Sequence, residues 1–279
     1  MLYVKPKKEA LAIHEKAVAK YNVAFQKMEQ LGSHLYGKRC DCVTLIHEIE
    51  SLVNSIANRP KEFEKKISEI QAAREKFHET ETYAAEAMDA AVKSGVSVAA
   101  GVAGGAAVAS IAPPAAMWVA TTFGTASTGT AISTLSGAAA TNAALAWLGG
   151  GTLLKGGLGM AGGKAFLALA GPIGWGITGV TTAASAVALG HKNKQIADEA
   201  ISEAKKITAA GAEVNESNAK IQHLTDETVM LMDALRDMAQ ANRPLKSANY
   251  LELSEDEQYR LGTMVNNTLA LAEMLNKTI

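Results

Sequence analysis

His34, Cys40, Cys42 and His47 form a short run of metal-ligating side chains in a chain of 279 residues. Zinc sites draw on cysteines about two to four residues apart, so that both sulfurs reach one ion from a turn. Cys40 and Cys42 are split by a single residue, too close for that geometry and strained for a disulfide, so reduced thiols and no metal site are expected. The glycine cluster before Lys164 invites comparison with a phosphate-binding loop. That motif needs a second glycine five positions before Gly163 and a Ser or Thr after the lysine, and Leu158 and Ala165 stand there instead. His14, His78, His191 and His223 are isolated, and no Ser/His/Asp or paired-carboxylate spacing is present. The expectation is a protein that is not an enzyme, with no catalytic residues and no cofactor.

The chemistry that the sequence does concentrate is apolar. Residues 94–190 contain no Asp, Glu or Arg and only two lysines, Lys155 and Lys164, although the chain carries 27 basic and 28 acidic residues. The same block holds 20 of the 24 glycines and all three tryptophans. Near-balanced charge overall does not favour nucleic acid as a partner. At about 1.5 Å per residue the block makes roughly 145 Å of helix, and a bilayer core of about 30 Å needs about 20 residues per crossing, so up to about four passes fit. The candidate passes are 95–112, 115–148, 152–170 and 172–190, separated by Pro113-Pro114, by Gly149-Gly150-Gly151 and by the break before Pro172.

Within the block, Ser97, Gly101, Gly105 and Ala109 fall four apart on one helical face, and Gly159 and Gly163 repeat the spacing. Small residues so placed form a glycine zipper that lets backbones approach where lipid removes the hydrophobic drive between helices. In water each such glycine costs about 1 kcal/mol against alanine. Trp118, Trp147 and Trp175 recur at the interval expected for successive returns to a membrane interface, which indole prefers. A lysine at mid-bilayer costs about 2.5 to 3.5 kcal/mol, which places Lys155 and Lys164 at a surface or a pore mouth. Residues 121–142 are rich in Thr and Ser, fit either to line an aqueous lumen or to hydrogen-bond neighbouring helices.

Polar helices must present this block. Leu11, His14, Val18, Tyr21, Phe25 and Met28 step by three and four along one helical stripe. Gly32 then reads as a breaker, followed by a short polar stretch around Gly37, before a second helix over Val43 to Ile56, which stops at Asn58-Arg59-Pro60. A third helix runs from Pro60 without a breaker to Gly95. Beyond the block, Ile207, Val214, Ile221, Thr228 and Leu235 recur every seven residues, with Ala210, Ser217, Leu224, Leu231 and Met238 three positions on, a coiled-coil seam that predicts oligomerisation. Ala-Asn-Arg-Pro ends it at residues 241–244, as at 57–60. Ser254 and Glu257 fit a capping box opening a last amphipathic helix. No period-two alternation is present, so the fold class is all-α: long amphipathic and coiled-coil helices framing a Gly/Ala-rich hydrophobic hairpin region.

The layout of polar arm 1–93, apolar block 94–190 and polar arm 191–279 resembles helical pore-forming toxins of the cytolysin A kind. More loosely it is similar to colicin pore-forming domains and to apolipoprotein L. The resemblance lies in the layout and involves no residue-level signature, and the block is longer than one hairpin needs. It implies a protein soluble before insertion that oligomerises and permeabilises a lipid bilayer, as a homo-oligomer or with a second component. The alternative is a non-lytic scaffold or adaptor, membrane-resident or a soluble coiled-coil bundle. The opening residues lack the apolar core of a secretory signal, so synthesis in the cytosol and membrane association when active are expected.

Overall fold

The apolar stripes of Leu11 to Met28 and of Val43 to Val53 are carried by one helix. In the computed structural model, which describes residues 4–93, 118–148 except 123, 125, 127 and 129, and 186–279, α1 runs unbroken over Val4–Asn54. The expected breaker Gly32 and the polar stretch around Gly37 are both helical. Each glycine costs about 1 kcal/mol against alanine, whereas burying a large apolar side chain such as Met28, Leu35, Leu45 or Ile46 returns about 1.5 to 3 kcal/mol. Packing on both sides of the glycines therefore outweighs their propensity. The chain turns at Asn58, whose φ is 55°, and Phe63 N donates to Pro60 O at 2.9 Å as α2 (Lys61–Lys93) begins. Helix α3 is Gly137–Leu148 and α4 is Ala186–Asn242. Single 3-10 turns at Arg243–Leu245 and Tyr250–Glu252 lead to α5, Glu255–Met274. Its capping box is complete, since Ser254 N donates to Glu257 Oε2 at 2.9 Å and Glu257 N to Ser254 Oγ at 3.4 Å. The fold is all-α; among the described residues there is one isolated parallel bridge, Ala57 to Asn249, and no strand.

Two compact units divide the chain, Gly32–Ala84 with Lys220–Ile279 in one and Met1–Leu31 with Ala85–Ala219 in the other. These boundaries cut across the polar arms, and α1 and α4 each contribute to both.

The first of these units is a four-helix bundle of two αα-hairpins. Arg74 meets Glu50 at 2.6 Å and Tyr36 meets Glu81 at 2.7 Å, so α1 and α2 are antiparallel. Asn242 and Asn267 reach Met264 and Met238, and Lys277 reaches Glu227, so α4 and α5 are antiparallel too. The two hairpins lie side by side with α1 parallel to α4: Ala57 N donates to Ala248 O and Tyr250 N to Ala57 O, both at 2.9 Å. Each hairpin thus turns within or just after its Ala-Asn-Arg-Pro, at the same end of the bundle. The core comprises Ile46, Ile49, Val53, Phe63, Ile67, Ile70, Phe77, Leu235, Leu261, Val265 and Leu271 among others, all nearly inaccessible.

In the other unit α1 and α4 again run parallel, but their described seam is small and polar. Ala10 packs with Ala197 and Ala200, Tyr21 lies over Gly211, and the buried Asn218 donates from Nδ2 to Ala24 O at 2.8 Å. His14, also buried, lies 3.3 Å from Glu203. A buried methyl contributes about 0.8 kcal/mol, against about 1.5 to 3 kcal/mol for a Leu or Ile side chain, so this seam adheres less strongly than the bundle core.

Candidate functional site

Ser97, Gly101, Gly105, Ala109, Gly159, Gly163 and Trp175, together with Lys155 and Lys164, lie outside the described residues. Trp118 and Trp147 lie within them. Trp118 opens a helical turn at 118–122 and is buried, while Trp147 belongs to α3.

The candidate pass 115–148 is not one helix. After 118–122 the chain reverses, with Ala126 N donating to Thr130 O at 2.8 Å and Ile132 N to Gly124 O at 2.9 Å. Gly124 is required there, because a Cβ would overlap the carbonyl of Ala120 and come within 2.7 Å of Ile132 Cδ1. Gly137, with φ of +57°, then starts α3 in a conformation that other residues adopt only under strain. Twelve residues of α3 rise about 18 Å, short of a bilayer core of about 30 Å. Among the described residues no helix is long and apolar enough to cross a membrane.

Four hydroxyls of this segment bond locally, while Thr122 Oγ1 is buried without a partner among the described residues. Thr121 donates to Trp118 O at 3.0 Å, Thr134 to Ala131 O at 2.7 Å, Thr141 to Gly137 O at 3.4 Å, and Thr128 to Thr130 Oγ1 at 3.0 Å. Such back-bonding lets a hydroxyl sit in apolar surroundings without an unsatisfied donor.

Along α4, packing within the chain buries residues of one of the two rows named in the sequence and of a second row that the sequence did not suggest. Ile221, Thr228 and Leu235 are fully buried, with Ile207 and Val214 half-buried. The companion row lies three positions earlier, at Ala204, Gly211, Asn218, Thr225 and Met232, all buried, instead of three later. Of the later row Leu224 is buried, while Leu231 and Met238 pack at the margin of the bundle core. Asn218 and Thr225 were not apparent as seam residues because the sequence pattern weights apolar side chains. Thr225 returns its hydroxyl to Ile221 O at 2.7 Å, and Thr228 does the same to Leu224 O.

The thiols and histidines of the first arm are dispersed. Cys42 is wholly buried in the bundle core, where burial pushes its thiol up to about 12. Cys40 faces α2 instead, 3.8 Å from Glu81, and its thiol is also raised, chiefly by burial. Tyr36 donates to the same carboxylate, and that bond raises its phenol above the ordinary value. His47 stands 3.8 Å from Glu50, and His34 is exposed. Among the described residues no three His, Cys, Asp or Glu side chains gather as they would around a metal ion. A buried guanidinium, Arg39, is the group that sequence reasoning missed: it sits at 0% exposure and burial lowers it to about 10. A charged residue in the midst of a buried stripe at Leu35, Cys42 and Leu45 was its signal.

No family model, no curated protein and no solved structure matches the chain.

Proposed function

We propose that the protein inserts residues 94–190 into a lipid bilayer and permeabilises it, remaining soluble until it meets the membrane. One observation carries this reading: 97 consecutive residues with two lysines and no other charge are joined on each side to a long helix that is anchored in a separate, well-packed bundle. Among the described residues, the bundle core is built of side chains from the arms, Leu, Ile, Val and Phe foremost. The seam between α1 and α4 in the other unit, with Ala10, Ala197 and Ala200 at its centre, buries fewer large aliphatic side chains than the bundle core, which suits helices that exchange partners during oligomerisation.

The test is dye release from liposomes coupled to site-directed labels. With Cys40 replaced by Ser and the core Cys42 by Ala, single cysteines carrying an environment-sensitive fluorophore go in at Val102, Ala183 and, as control, the exposed Ser68. Labels at Val102 and Ala183 should move to an apolar signal and be quenched from within the lipid, while Ser68 does not change. Membrane-bound protein whose block labels never meet the lipid quencher, or that releases no dye, makes the helical scaffold the correct description.

A further inference from the structure

Beside the buried stripe of α1, about 100° round the helix from its centre, lies an exposed face of lysines and aliphatic side chains. At about 100° per residue, Lys5, Ile13, Lys16, Lys20, Val23 and Lys27 fall within an arc of about 80°. All six are exposed, Ile13 at 52% and Val23 at 66%. Glu9 is the one acid on the same arc. None of these four lysines forms an ion pair among the described residues, whereas Lys38, Lys65, Lys66 and Lys277 of the bundle each sit within 4.0 Å of a carboxylate. Through residues 1–31 there are six lysines and three glutamates, in a chain whose net charge is −1. A face of uncompensated lysines interleaved with aliphatic side chains, and without an aromatic on the arc, matches anionic lipid headgroups over a shallow apolar boundary. Single-stranded nucleic acid asks for stacking platforms, which the face lacks.

We infer that the Lys5, Lys16, Lys20 and Lys27 face of α1 is a docking surface for anionic lipid headgroups, with Ile13 and Val23 entering the interface between them. The inference builds on the membrane reading above and gives it a lipid class. The lysines belong to the same compact unit as Ala85–Ala219, so lipid held by this face lies against the unit that contains the apolar block.

The experiment compares the full-length protein with Lys16→Gln/Lys20→Gln/Lys27→Gln, and with Lys61→Gln/Lys205→Gln/Lys246→Gln as a control of equal charge change on exposed sites. Partition onto vesicles of phosphatidylcholine alone and of phosphatidylcholine with phosphatidylglycerol is read by co-sedimentation, and circular dichroism establishes that each variant is folded. The α1 triple variant should lose about a hundredfold in partition onto anionic vesicles, about fivefold per charge. The control should lose less than about fivefold, and added salt should weaken the wild type toward the variant. Equal losses in the two triple variants, equal binding of the wild type to both vesicle types, or a preference for single-stranded RNA over anionic vesicles that the α1 variant abolishes, would each overturn the inference. The two readings fail separately. Dye release from phosphatidylcholine vesicles at undiminished rate removes the docking face and leaves insertion standing, and lysine-dependent binding without dye release does the reverse.

Discussion

Arg39 and Lys277, 238 positions apart in sequence, meet where a guanidinium Nη2 donates to a main-chain carbonyl at 2.7 Å. The contact ties α1 to the residues that follow α5. Its neighbours extend the tie, since Asn276 donates to Ala73 O on α2 and Lys277 Nζ pairs with Glu227 on α4. Two consecutive residues therefore reach three different helices.

Arg39→Ala should destabilise the bundle by about 3 kcal/mol, combining a lost charge-assisted hydrogen bond with a cavity. Arg39→Met keeps most of the volume and removes the buried charge, so it should cost about 1 kcal/mol or less. Urea denaturation of the two variants gives the comparison, and equal costs would mean that the charge and not the volume matters.

Cys42 sets a pH dependence. Its thiol ionises at 9.0 when unfolded and near 12 in the core, so between those values the native state binds more protons than the unfolded one. Stability is therefore full below 9.0 and falls as pH rises through that window, by up to about 1.4 kcal/mol per pH unit. Cys42→Ala should flatten this slope, as seen by denaturation midpoints measured against pH, and the native wild type should leave Cys42 unlabelled by thiol reagents until it unfolds.

Gly37 and Gly124 should respond to alanine with opposite signs. Nothing lies within 4 Å of a Cβ built on Gly37 in its continuous helix, so Gly37→Ala should stabilise by about 1 kcal/mol. Gly124→Ala meets the Ala120 carbonyl and should cost about 1 to 3 kcal/mol locally. Hydrogen exchange at the Ile132 amide, which bonds to Gly124 O, reports the local loss.

Glu50 is 4% exposed and accepts from Arg74 at 2.6 Å. Arg74→Ala strands that carboxylate. With the arginine side chain 29% exposed, the cost should be about 2 kcal/mol, below that of a fully buried pair. Glu50→Leu combined with Arg74→Leu should cost less than Arg74→Ala alone in chemical denaturation.

The sequence made the helical class, the stripe of α1, the capping box at Ser254 and the paired Ala-Asn-Arg-Pro turns legible, because each rests on local periodicity or chemistry. Gly32 was misread as a breaker and the stretch around Gly37 as a gap between helices, since the modest propensity cost of glycine is decided by side chains that pack from elsewhere in the chain. The row of α4 buried within the chain was not suggested for a related reason: Gly211 and Asn218 are matched to α1, where Tyr21 fills the space over Gly211 and the Ala24 carbonyl accepts from Asn218. Arg39 was hidden because its carbonyl acceptor lies 238 residues away. The candidate pass 115–148 did not read cleanly as a single span, and its mean apolarity carries no record of the chain reversal at Gly124.

Because both hairpins of the bundle turn at the end marked by Ala-Asn-Arg-Pro, α2 leaves and α4 enters at the other end, where Tyr36 meets Glu81 and Lys277 meets Glu227. Among the described residues, every side chain of the bundle core comes from one of the two hairpins. In effect it is a heterodimer of two fragments that happen to share one polypeptide, and a protease cut between them would leave the halves clasped.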